Sequence, residues 1–189
     1  MSRLQLLLSQ PQTALGALLT VALAATAVIG SGADFTASSA NPANTFTAGT
    51  LHIVNSKEGV AVLAATDLQP GGAPAVGTVD LQDDGSLSGD FQLSRSAPSD
   101  SDGANPLSGK IDLTVVDCGA FAGASAPVCG DGDDVQRYAG ALAAMGTVAL
   151  GHFAPGAQHR FQFRATLDGS AGDAYQGGAT TVRFDFDAA

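Results

Sequence analysis

The residues able to do chemistry are few, and their spacing matches none of the familiar catalytic patterns. The histidines are His52, His152 and His159, and the chain has a single Glu, Glu58. No H-E-x-x-H pair can therefore be written, and with it goes the zinc-protease helix in which two histidines one turn apart hold the metal and a Glu activates water. A G-x-S-x-G nucleophile elbow, a phosphate-binding P-loop and a dinucleotide fingerprint after a strand are likewise not found. Paired carboxylates such as Asp83 and Asp84 stand beside Gly85, a setting in which Asp is favoured for turn formation alone. His159 is read as lying on the polar side of its strand, a solvated histidine. These residues give no basis for assigning an enzymatic activity or a cofactor.

Two constellations remain. Cys118 and Cys129 enclose a short Gly-, Ala- and Pro-rich loop with little apolar surface to hold itself down. Two thiols without a neighbouring His miss zinc-ligand spacing, so a disulfide is expected. Just beyond lie Asp131, Asp133 and Asp134, and a second acidic loop holds Asp100 and Asp102 beside Gly103. Alternate Asp residues near Gly can wrap a hard cation, but neither segment completes a D-x-D-x-D-G loop or ends in a bidentate Glu. No metal site is assigned. Asp131, Asp133 and Asp134 are the nearest approach to a calcium loop, and solvated Asp-rich turns are the alternative.

These groups must be positioned by strands. Acidic residues number 18 against 8 basic ones, a formal net charge of −10 that would repel a phosphate backbone, so nucleic acid is not an expected partner. Residues 1–33 read as a secretory signal helix. Arg3 is followed by an uncharged apolar run from Ala14 to Ile29, shorter than the roughly 20 residues a spanning helix needs. Small residues then lead to a cleavage point between Ala33 and Asp34. An uncleaved anchor is the alternative, and membrane contact is expected only through that uncleaved signal.

After the signal, residues 34–46 form an extended segment and 47–189 one folded domain. Asp-Gly pairs at Asp84, Asp102, Asp131 and Asp168 mark hairpins or loops, because both residues reach positive φ cheaply. Between them the chain alternates with period two. Phe91 and Leu93 alternate with Asp90 and Gln92, Phe161, Phe163, Ala165 and Leu167 with Gln162, Arg164 and Thr166, and Val182, Phe184 and Phe186 with Arg183 and Asp185. Such segments bury one face and wet the other. Further strands are expected over Thr47 to Asn55, Val60 to Ala65, Val76 to Leu81, Lys110 to Asp117 and Thr147 to Gly151. Eight or nine short strands with turns between them point to an all-β, two-sheet antiparallel sandwich. The apolar spacing of Val135, Tyr138, Leu142 and Met145, with Asp133 and Asp134 ahead and Gly146 behind, predicts one short amphipathic helix over Asp134 to Met145.

Several segments together resemble the TasA/camelysin (CalY) family. The apolar signal is followed by Asp34 and Phe35, then by the run from Asn44 through Phe46 and Gly49 to Leu51. Leu68 to Gly71 is similar to the family's "LKPGD" turn, Asp84 to Leu87 stands where the family has "N-x-G-S-L", and Tyr175 to Gly177 with the Val182, Phe184, Phe186 strand is similar to its C-terminal end. The resemblance implies a jelly-roll sandwich, secretion to the cell surface or matrix, and processing by a SipW-type signal peptidase. It also implies self-association into biofilm fibres, the mature N-terminal segment of one subunit adding a strand to the next. In this chain that segment is Asp34 to Phe46, with Phe35 and Phe46 as inserted groups, and Pro42 restricts it to an edge or to two pieces. A camelysin-like surface metalloprotease and an accessory surface-binding module are the rival functions.

Overall fold

The computed structural model describes residues 47–189 apart from Ala124. The expectations for the signal helix at 1–33, the Ala33–Asp34 cleavage and the segment 34–46 with Phe35 and Phe46 lie outside the described residues.

The described chain is all-β. Its strands are β1 (Ile53–Asn55), β2 (Ala75–Asp83), β3 (Gly89–Arg95), β4 (Ser99–Asp100), β5 (Ile111–Phe121), β6 (Val135–Ala141), β7 (Val148–Phe153), β8 (Gln158–Leu167), β9 (Thr180–Thr181) and β10 (Phe184–Ala188). Every pairing of these strands is antiparallel. A five-stranded sheet has the order β1-β2-β8-β5-β6, a three-stranded sheet β10-β3-β7, and β4 pairs with β9.

The period-two pattern positions the core. Val79 and Leu81 of β2, Leu113 and Val115 of β5, and Phe161 and Phe163 of β8 point one way and are buried against Phe91, Leu93, Leu150 and Phe153 of the three-stranded sheet. Rings bridge the layers: Phe161 lies 6.4 Å from Phe153, and Phe163 lies 5.1 Å from Phe184. Each large ring withdrawn from water contributes roughly 1.5–3 kcal/mol, so this shared apolar layer dominates the stability of the fold.

Three expectations need correction. Residues 134–145 do not form a helix: Val135–Ala141 is strand β6, and only Leu142–Ala144 turns, as a single 3-10 turn. The helical spacing is a coincidence of two elements, Tyr138 packing inward from a strand and Leu142 and Met145 from the turn after it. A helix there would carry Gly140 at a cost of about 1 kcal/mol and would leave the outer edge of β5 without its ladder. Second, Val60–Ala65 is not a strand, because this segment crosses the inner side of the sheet instead of joining it. A Cβ on residue 77 would overlap the carbonyl oxygen of Val62, so Gly77 is what allows the crossing, and Val62 and Leu63 pack onto the core there. Third, the strand expected over Thr47 to Asn55 shrinks to Ile53–Asn55, although Thr50 still holds the β2–β3 turn through Ser86 and Leu87.

Candidate functional site

The chemistry-bearing side chains concentrate where β5 leaves the apolar layer. Inward positions along this strand read Ile111, Leu113, Val115 and then Asp117, whose side chain is 3% exposed. A carboxylate in that position must be paired or it would forfeit its hydration without compensation. Register shifts on both sides of β5 deliver the partners: Val115/Val116 is out of step with β6, and Asp117/Ala120 with β8. Arg137 of β6 donates to Asp117 Oδ2 at 2.8 Å, and the Gly119 amide donates to Oδ1 at 3.0 Å. His159 of β8 places Nδ1 3.1 and 3.2 Å from the two oxygens, so an ionised Asp117 selects the tautomer with hydrogen on Nδ1. The imidazole also lies on the Phe153 ring, centroids 4.5 Å apart.

Burial works against the charge on Asp117, but the hydrogen bonds from His159, Arg137 and Gly119 outweigh it and hold its carboxyl below the ordinary value. Arg137 neutralises the carboxylate, so the cluster is a charge-balanced inter-strand clasp. His159 is therefore not a solvated histidine on the polar face. It shares parity with Phe161 and Phe163 and turns inward, and the alternation itself places it there.

One residue further along β5, Cys118 is buried and joined to Cys129, as the cysteine spacing predicts. The bridge closes the loop that leads into β6. Beyond it the structure brings Asp131, Asp133 and Asp134 together, with one possible ligand atom from each lying within 4.8 Å of the others. Asp134 accepts the Gly130 amide at 2.7 Å, so it braces its own loop and caps no helix. The carboxyl of Asp133 is pushed up because its protonated form donates a hydrogen bond to Asp131 and because that neighbour's charge opposes its ionisation. Such crowding of exposed acids is what a hard cation would relieve, and it is equally what a strongly acidic surface produces.

The other acidic loop serves the fold. Asp100 accepts the amide and hydroxyl of Ser108 at 2.8 and 2.7 Å, and Asp102 accepts from Ala104 and Asn105. His152 meets Asp90 at 2.9 Å on the exposed face of the three-stranded sheet, His159 belongs to the five-stranded sheet, and His52 precedes β1. The three histidines do not converge.

Motif patterns do not mark Asp117 or Arg137, and they mark Asp83 only as a turn residue, without its burial. The signal was available in two cases: Asp117 continues the inward parity of Leu113 and Val115, and the fully buried Asp83 that of Val79 and Leu81. Asp83 accepts the Gly85 amide at 2.8 Å and shapes the turn into β3.

Fold and site together define an antiparallel all-β protein with one disulfide beside a buried ion cluster. Comparison with protein-family models gives no match, and comparison with curated proteins gives none.

Proposed function

We propose that this chain is a secreted structural protein of the extracellular matrix or cell surface, a fibre subunit of the TasA/camelysin type that assembles by strand addition. The single observation that carries the reading is a sheet edge that is open among the described residues. Ala189 and Asp90 exchange both backbone hydrogen bonds and Arg183 accepts from Ser96. By antiparallel alternation, Phe184, Phe186 and Ala188 therefore aim their N–H and C=O groups away from β3, at the end of the three-stranded sheet. An extended segment from a second copy can pair there. Asp34 to Phe46 is that segment, freed by cleavage after Ala33 by a SipW-type peptidase, with Phe35 and Phe46 as its anchoring groups. A jelly-roll sandwich is supported by the route of the chain, which changes sheets between β2 and β3, β3 and β5, β6 and β7, β7 and β8, and β8 and β10. The disulfide suits an oxidising, extracellular setting.

Electron microscopy of the purified protein beginning at Asp34, beside a version beginning at Thr47, tests this reading. Fibres that grow only with the longer chain are expected. Absence of high-mass species at every concentration, or equal growth of both, overturns it.

A further inference from the structure

Strand β6 stands apart from the rest of the five-stranded sheet. It pairs with β5 over Asp112–Asp117, yet none of its seven residues is fully buried and none belongs to the buried apolar cluster. Tyr138 packs only partly against the core, and its hydroxyl donates to the carbonyl of Ala141 at 2.7 Å, within β6 itself. What ties β6 down besides its ladder and the partial packing of Tyr138 sits at three points. At its leading end the Cys118–Cys129 bridge pins the incoming loop to β5. In its middle Arg137 clasps the buried Asp117. At its trailing end Leu142 and Met145 are sunk in the core. The last is an apolar anchor suited to act as a hinge. The first is a covalent bond that a reductant can open.

We propose that β6 is a redox-latched flap. With the disulfide closed it covers the outer edge of β5, and with the disulfide reduced it swings about Leu142 and uncovers that edge. A dithiol reductant attacks the partly exposed Cys129 sulfur, forms a mixed disulfide and expels the Cys118 thiolate. Its second thiol then closes on the first, leaving an oxidised cyclic disulfide and two protein thiols. The connection from the end of β5 to β6 thereby loses its tie to Cys118, and the front of β6 keeps only its ladder and the Asp117–Arg137 contact. The uncovered backbone belongs to the longest strand among the described residues, because β5 runs from Ile111 to Phe121. Its occupant is the extended segment of a second copy, and this last step rests on the proposed assembly by strand addition. The device is a conditional acceptor, closed in oxidising surroundings and separate from the edge of β10, which has no second partner among the described residues.

Hydrogen exchange followed by mass spectrometry on the protein beginning at Asp34, with and without dithiothreitol, tests the flap. Peptides covering Val135–Ala141 should exchange on the order of a hundredfold faster after reduction, the loop-closure entropy of a bridge this size expressed as an opening constant. Peptides from β2, β3 and β8 should keep their protection. The double variant Cys118→Ser/Cys129→Ser should exchange like reduced protein. Should that variant fail to fold, Arg137→Gln in the presence of the intact bridge should give a smaller acceleration confined to the same peptides. Unchanged exchange in β6 on reduction, or loss of protection throughout the sheet, overturns the latch. Light scattering on the same samples separates the two ideas: local opening without association in either redox state removes the assembly and leaves the latch, whereas association without local opening removes the latch.

Discussion

Strand β5 has two neighbours held to it in different ways. On one side β8 runs alongside for almost its whole length and sends Phe161, Phe163, Ala165 and Leu167 into the core. On the other, β6 forms a comparable ladder but buries no residue fully, and its hold is a disulfide and an ion pair. The backbone hydrogen bonds are of one kind on both sides, so they cannot account for the contrast. A ladder bond exchanged with water is worth only about 1 kcal/mol net, while a buried Phe contributes two or three times as much. β8 is thus fastened by solvent exclusion spread over many side chains, and β6 by specific bonds that reduction or acid can undo.

The comparison can be broken most severely on the β8 side. Phe163→Ala should cost about 3–5 kcal/mol, because Phe163 is fully buried between Phe184, Phe186 and Val115, and urea unfolding should show one cooperative transition moved to much lower denaturant. Reducing Cys118–Cys129 should cost less, about 3 kcal/mol, lowering Tm while far-UV circular dichroism keeps its strand signal below the transition, since the loop carries no core side chain. Thiol labelling of the untreated protein should find neither cysteine free.

A smaller effect sharpens the ionic part of the clasp. Asp117→Asn should cost about 2 kcal/mol, leaving Arg137 and His159 without their charged acceptor. The pH dependence identifies it. Because the folded carboxyl of Asp117 is held low, its contribution is complete above the unfolded carboxylate value near 3.9 and is lost as pH falls through the folded value. The parent protein should therefore lose stability below about pH 4, and Asp117→Asn should flatten part of that loss. Asp100, Asp102 and Asp168, whose carboxyls are also held low, should keep the remainder. An acid limb of unchanged slope in the variant would deny the clasp its ionic character. The least change is expected from Arg160→Lys on the outer face of β8. Its two hydrogen bonds to Asp80 at 2.7 and 2.8 Å are partly solvated, so the loss should stay below about 1 kcal/mol by thermal melt.

Much of this was legible along the chain, because a strand with one wet face writes its burial into every second residue. Phe161, Phe163, Ala165 and Leu167 announced β8, Val79 and Leu81 the end of β2, and two lone cysteines their own bridge. Val135, Tyr138, Leu142 and Met145 misled because spacing alone cannot show whether four apolar residues share one element or two. The edge of β5 decided that, since its unpaired groups needed a partner strand more than residues 135–141 needed a helix. What only the tertiary structure decided is the clasp. Asp117, Arg137 and His159 are separated by 20 and 42 positions, and two register shifts in β5 bring them within 3.2 Å. A two-residue period fixes which face a side chain takes, but the shift that aligns one strand with another is set by the pairing itself.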